Sequence, residues 1–151
     1  MNNLKRILAL VLALMMAFSL VACGNSGEAA QNGGEYKVAM VTDYGDITDQ
    51  SFNQTTYEAC KEFCEAEGLS FEYFKPATDS DDDRIAMIEN AIDSGYNVVV
   101  LPGFAFANAI IATADNYPEV KFVALDVSEF DLTGNGWSIP ENVYSAVYQE
   151  E

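Results

Sequence analysis

The sequence contains no histidine. That absence removes the most common general base at neutral pH, the Ser-His-Asp triad and the most common zinc ligand. Two phosphate-binding patterns are also missing, because no G-x-G-x-x-G follows the first predicted strand and G-x-x-x-x-G-K-[ST] occurs nowhere. The sequence therefore disfavours dinucleotide-binding enzymes, NTPases and histidine-dependent hydrolases, and we expect no cofactor and no metal.

Positive charge is scarce. Seven Lys and Arg residues stand against 24 Asp and Glu residues, which gives a formal net charge of −17. Such an acidic surface repels phosphate backbones, so nucleic acid is excluded as an expected partner. The 151 residues leave room for about one domain once targeting segments are set aside.

The N-terminus has the pattern of a secretion signal. Lys5 and Arg6 precede a nearly unbroken apolar run over residues 7–20, which is short for a membrane span and favours a cleaved signal peptide, residues 1–22. The ending Leu20-Val21-Ala22-Cys23 resembles the bacterial lipobox, in which the cysteine is lipidated. A plain secretory signal with an incidental cysteine is the alternative.

Residues 23–35 form the predicted linker. Glycine, serine, alanine and asparagine dominate this stretch, and no side chain in it is large and apolar enough to pack into a core. A lipid on Cys23 at the head of such a tether would hold the folded part at the outer face of the cell membrane.

The folded part, residues 36–151, alternates short apolar strands with amphipathic helices. The pattern predicts five strands, at residues 37–42, 70–75, 97–101, 121–125 and 143–148, with helices at residues 52–67, 81–94 and 105–117. Ser51 is predicted to cap the first helix. Strand–helix alternation of this kind predicts an α/β fold, with a parallel sheet covered by helices on both faces.

Three residues stand out because ligands bind at the carboxyl ends of parallel strands. Asp43 follows the first strand and Phe52 opens the next helix, so a carboxylate and an aromatic face could together hold a planar ring that carries hydrogen-bond donors. Asp126 ends the fourth strand and could accept from two neighbouring hydroxyls. Each also has a simpler explanation: loop bonding for Asp43, core packing for Phe52 and capping for Asp126.

Two further patterns have structural interpretations. The run Asp79–Asp83 lacks the Gly and Glu of a calcium-binding EF-hand loop and is better explained as the start of a helix. Cys60 and Cys64 are four residues apart in one predicted helix, where side chains point in parallel, so free apolar thiols are favoured over a disulfide.

The strongest signal is a run after the first strand, Val41-Thr42-Asp43, followed by Gly45-Asp46-Ile47-Thr48-Asp49-Gln50-Ser51-Phe52-Asn53-Gln54. With the segments 98–104, 122–126 and 142–145, this run resembles the basic membrane protein (BMP) family. Its members are substrate-binding lipoproteins of ABC importers and include purine nucleoside receptors. The resemblance extends in order along the whole folded part.

The resemblance implies a type I periplasmic-binding fold, in which two α/β lobes close on a ligand. It implies that Asp43 reads the edge of a nucleoside base, that Phe52 stacks on the base and that Asp126 holds the ribose hydroxyls. Asn53, next to this site, is the fourth expected ligand-binding residue. It also implies an ABC permease and an ATPase as partners, and the cell membrane as the location. We expect residues 36–151 to be the N-terminal lobe, truncated before the second lobe.

Two other functions remain open at this point. The chain could be a surface lipoprotein that senses a small ligand without transport. It could also be a nucleoside-processing enzyme that uses Asp43, Asp46 or Asp126 as a general base, although the missing histidine argues against catalysis.

Overall fold

The structure is a computed structural model, and it describes residues 36–148. The predicted signal peptide, the linker and Cys23 lie outside the described residues, as do residues 149–151. The described residues belong to one compact unit, Gly34–Glu151.

Five strands form a single sheet in which every neighbouring pair is parallel, in the order β2-β1-β3-β4-β5. The strands are β1 (Lys37–Val41), β2 (Ser70–Phe74), β3 (Val98–Pro102), β4 (Lys121–Leu125) and β5 (Val143–Ala146). The predicted parallel α/β fold is therefore confirmed. The fifth strand ends two residues earlier than predicted.

Four helices connect the strands: α1 (Phe52–Glu67), α2 (Asp81–Asp93), α3 (Ala107–Thr113) and α4 (Glu129–Thr133). The start of α2 confirms the interpretation of the aspartate run, because Ser80 caps the helix and Asp81–Asp83 occupy its first turn. The helix predicted at residues 105–117 is wrong as a single element. Only α3 is α-helical, and 3₁₀ turns flank it at Phe104–Phe106 and Ala114–Asn116.

Two features of the helices differ from the prediction. Ser51 stands at the N-cap of α1 in extended conformation, but its side chain makes no capping hydrogen bond. The short helix α4 was not predicted at all. It is held by a capping box in which the Ser128 hydroxyl accepts from the Asp131 N–H and the Asp131 carboxylate accepts from the Ser128 N–H.

The apolar core has two layers, one on each face of the sheet, because successive strand side chains point to opposite faces. Val41, Val99 and Leu101 pack with the apolar residues of α2, α3 and α4. Val38 and Met40 pack with Cys64 of α1. Helices therefore cover both faces, as predicted.

Both cysteines of α1 are free thiols in the structure. Cys64 is buried and Cys60 is half-buried beside it. Burial, together with the nearby Cys64, raises the pKa of the Cys60 thiol to about 11. Cys60 therefore stays protonated at neutral pH and packs as a small apolar residue.

The sheet has a switch point at β1. From β1 the chain crosses by α1 to β2 on one side, and from β2 it crosses by α2 to β3 on the other side of β1. Helices α1 and α2 lie on opposite faces, so their N-terminal loops separate and leave a crevice at the carboxyl ends of β1 and β3. Within residues 36–148, no helix is both long and apolar enough to cross a bilayer.

Candidate functional site

A cleft of about 750 Å³ opens at the switch point. Its walls come from the three loops that follow β1, β2 and β3, together with the first turns of the helices after them. Among the described residues that line it, the charged ones are four carboxylates and one guanidinium: Asp43, Asp49, Asp79, Asp81 and Arg84. The excess of negative charge favours a neutral or cationic ligand with hydrogen-bond donors over an anion.

Asp43 is the best-defined polar group of the cleft. Its Oδ1 accepts three hydrogen bonds, from the N–H of Tyr44 at 2.6 Å, the N–H of Gly45 at 2.8 Å and Nδ2 of Asn53 at 2.8 Å. Within residues 36–148 no donor contacts its Oδ2. A Cβ placed on Gly103, the residue after β3, would lie 4.0 Å from this Oδ2. Oδ1 thus bonds the loop backbone, as the simpler explanation of Asp43 predicted, whereas Oδ2 does not take part in these bonds.

The environment of Asp43 keeps it ionised. Partial burial raises the pKa of the carboxyl, but the hydrogen bonds from Gly45, Asn53 and Tyr44, together with the charge of Arg84, outweigh that effect. The net result is a pKa below the ordinary value of 3.8. At neutral pH Asp43 can therefore accept hydrogen bonds as a charged group, and it is a poor general base because its pKa is far from neutral pH.

Asn53 is buried at 5% exposure and lies against Asp43. Its Nδ2 donates both to Asp43 and to Asp49, the latter at 3.3 Å, and these two acceptors determine the orientation of the amide. Its Oδ1 has no partner among the described residues. Gly45 allows this arrangement, since a Cβ there would lie 2.4 Å from the Asn53 Nδ2.

Phe52 is half-buried at the start of α1 and lines the same cleft as Asp43. It belongs to neither core cluster, so core packing does not account for it. Its ring meets Tyr148 edge to face, with centroids 5.7 Å apart and planes at 78°. This contact restrains the ring, and a restrained ring at a cleft wall can stack on a planar ligand.

Asp126 lies apart from these residues. It is exposed at the carboxyl end of β4, adopts a left-handed φ of 60° and donates its N–H to Ala146 at 2.7 Å. It does not line the cleft. It is not the cap of α4 either, since Ser128 has that role. Asp43, Phe52 and Asn53 are brought together by the fold, whereas Asp126 is at the same sheet edge without joining them.

Two residues that line the cleft were not singled out from the sequence. Phe104 is 71% exposed on the turn after β3, where Gly103 has a φ of 115°. Arg84 is buried at 5% exposure in α2, and its guanidinium contacts the loops after β1 and β2. The lone arginine after three aspartates was the only signal for it, and a charge in that position usually belongs to a solvated helix face.

The chain is similar in sequence to several known proteins. The family described as Bmp, ABC transporter substrate-binding protein PnrA-like, matches residues 36–151. An uncharacterised lipoprotein of Pyrococcus horikoshii is 31% identical over 121 residues, a match covering 80% of this chain and 29% of the relative. The ABC transporter nucleoside-binding protein BmpA of Lactococcus lactis subsp. cremoris is 29% identical over 130 residues, covering 81% and 36% respectively.

A solved structure gives the same answer at the level of the fold. An ABC transporter solute-binding protein from Conexibacter woesei superposes with a TM-score of 0.62 at 25% identity, covering 75% of this chain and 35% of that one. The chain spans about a third of the length of the curated relatives it matches. The family match extends over all the described residues, and on that basis the chain belongs to the Bmp family of ABC transporter substrate-binding proteins.

Proposed function

We propose that this chain is the N-terminal lobe of a lipid-anchored, extracytoplasmic receptor that captures purine nucleosides and delivers them to an ABC permease and its ATPase. The observation that carries the proposal is the pairing of Asp43 and Phe52 in one cleft. Asp43 offers an ionised Oδ2, and Phe52 offers an aromatic face restrained by Tyr148. The Lactococcus lactis relative, named as a nucleoside-binding protein, supports the choice of ligand class.

The chemistry of a purine fits this pair. A purine base is planar, so it gains stacking area on Phe52. Its ring N–H or amino group can donate to the Asp43 carboxylate, and such a charge-assisted hydrogen bond is stronger than a neutral one. Asp126, at the same edge of the sheet, is proposed to accept from the ribose hydroxyls, and Asn53 is proposed to support Asp43.

Binding without turnover is also part of the proposal. The Bmp family consists of solute-binding proteins of ABC transporters rather than enzymes. The depressed pKa of Asp43 supports the same role for this chain, because it makes that residue a permanent acceptor.

The test is calorimetry on the protein expressed from the complete reading frame that contains this sequence. Inosine, guanosine and adenosine are titrated in turn, with cytidine and free ribose as comparisons. We expect the purine nucleosides to bind more tightly than cytidine, which offers less stacking area, and ribose to bind least. Chromatography of the recovered ligand is expected to show unchanged nucleoside. Tight binding of ribose without purine binding, or conversion of the nucleoside, would contradict the proposal.

The lipid anchor is proposed for Cys23, which lies outside the described residues. Its support is the lipobox-like sequence and the naming of the Pyrococcus horikoshii relative as a lipoprotein. We expect Cys23→Ala to release the protein from the membrane fraction of cells, because the thiol that carries the lipid is lost. Cys60→Ala is the matched control and is expected to stay in the membrane fraction. A Cys23→Ala protein that remained fully membrane-bound would contradict the assignment of the lipid anchor to Cys23.

A further inference from the structure

Arg84 makes an unusual set of contacts for a residue in the first turn of an acidic helix. Its Nε donates to the main-chain carbonyl of Asp43 at 3.1 Å, and its Nη1 donates to Asp81 Oδ1 at 3.2 Å. Its Nη2 donates to Asp79 Oδ1. The ring of Phe106 lies 6.0 Å from its Cζ. A side chain at 5% exposure thus has acceptors for all three of its nitrogens.

These contacts join the three loops that build the cleft. Asp43 belongs to the loop after β1, Asp79 to the loop after β2, and Phe106 to the 3₁₀ turn after β3. Asp81 extends the network, since its Oδ2 accepts from Nδ2 of Asn108 in α3 at 2.8 Å. Lys75, just after β2, also pairs with Asp46 in the loop after β1 at 3.2 Å, but Arg84 contacts all three loops.

The planar guanidinium suits this task in a way that an ammonium does not. Its donors point outward in fixed directions, so the acceptors of Asp43, Asp79 and Asp81 are held at fixed angles to one another. Lysine would supply the same charge, but its donors are on a single rotatable nitrogen and do not reproduce the fixed spacing of the three guanidinium nitrogens. Arg84 is also the only Lys or Arg among the described residues that line the cleft, where it faces four carboxylates. Without it, those carboxylates would repel one another.

We propose that Arg84 is the positioning residue of the ligand site: it holds the Asp43 backbone and the carboxylates of Asp79 and Asp81 together, and so aims the Asp43 carboxylate into the cleft. The proposal rests on the proposed function for the identity of the ligand. The positioning itself concerns only residues of this chain. Arg84 acts through Asp43 and has no direct contact with ligand in this assignment.

Two variants and two controls separate positioning from stability. Arg84→Gln removes the charge and most of the N–H donors of the guanidinium. Arg84→Lys keeps the charge but loses the planar arrangement of those donors. Lys61→Gln removes one cation from an exposed i,i+4 pair with Glu65, so it matches the change in net charge far from the cleft. Ile88→Val, buried in the same helix, lowers stability without touching the cleft.

The first measurement needs no ligand. The main-chain amide of Gly45 and the side-chain amide of Asn53 donate to Asp43 Oδ1, so their chemical shifts and their hydrogen exchange report the position of that carboxylate. Both are followed by NMR in the deuterated protein from the complete reading frame. We expect both Arg84 variants to shift these two amides and to speed their exchange, and both controls to leave them as in the wild type. Unchanged amides in a folded Arg84 variant would overturn the proposal.

The second measurement is inosine affinity by calorimetry. We expect Arg84→Gln to weaken binding by about tenfold or more and Arg84→Lys to weaken it less, while the controls bind as the wild type does. Shifted amides with unchanged affinity would overturn the functional part of the proposal. If the wild type fails to bind any purine nucleoside, the proposed function fails, and the amide measurement still decides whether Arg84 positions Asp43. If Arg84→Gln does not fold, Arg84→Lys carries both tests.

Discussion

Asp43→Asn is expected to weaken purine nucleoside binding by about 1.5–3 kcal/mol, the value of a hydrogen bond to a charged group, or about 10- to 150-fold in affinity. The Oδ1 position of Asp43 is surrounded by three donors, on Tyr44, Gly45 and Asn53. An asparagine must therefore place its carbonyl oxygen there and its amino group where Oδ2 was. That amino group would face the donors of the ligand, so an attractive contact becomes a repulsive one. Calorimetry with inosine measures the change.

Asp46→Asn is the matched control for this variant. Asp46 lies in the same loop and carries the same charge, but it is exposed, pairs with Lys75 at 3.2 Å and does not line the cleft. We expect its affinity for inosine to equal that of the wild type. An equal loss in both variants would mean that overall charge, and not the contact made by Asp43, governs binding.

The pH dependence gives Asp43 a second test. Its pKa in the folded protein is below the unfolded value of 3.8. A depressed carboxyl pKa contributes stability that is fully present above 3.8 and is lost as the pH falls through the folded value. The same low pKa keeps the carboxyl ionised from neutral pH down to about pH 5. Affinity that depends on the ionised carboxylate is thus expected to be constant over that range and to fall only below the ordinary carboxyl range. A fall between pH 7 and pH 5 would exclude Asp43 as the group responsible.

Phe52→Ala is expected to weaken purine nucleoside binding by about 1–3 kcal/mol, the range measured for base–aromatic stacking by alanine substitution. The ring lines the cleft beside Asp43 and is restrained by its edge-to-face contact with Tyr148. Removing it takes away both the stacking surface and part of the cleft wall. Because Phe52 belongs to neither core cluster, the free energy of unfolding is expected to change less than for a core phenylalanine.

Two further variants serve as comparisons for the stacking role of Phe52. Phe52→Tyr keeps the aromatic face and is expected to retain most of the affinity. Phe130→Ala removes a phenylalanine of 80% exposure from α4, which does not line the cleft, and is expected to leave affinity unchanged. Wild-type affinity in the Phe52→Ala protein would rule out a stacking role, whatever its stability.

Much of the fold could be predicted from the sequence because its determinants are local. A run such as Val98–Leu101 is apolar on both faces, which is typical of a buried parallel strand, and Gly68 ends α1 in a left-handed conformation that glycine adopts easily. The same local rules failed where the elements are short. Helix α4 has five residues and no full apolar period, and its capping box alone gave no reliable signal.

The candidate site, like the fold, could be predicted only in part from the sequence. The sequence by itself determined that Asp43 and Phe52 lie near one sheet edge, since each directly follows a predictable strand or begins a predictable helix. Only the tertiary structure decided which of the two Asp43 oxygens is free, that Asp126 does not line the cleft, and that Arg84 reaches Asp43 across 41 residues of chain. Strand and helix periods report how a segment folds on its own, whereas the contacts of a long side chain depend on which loops the sheet order brings together.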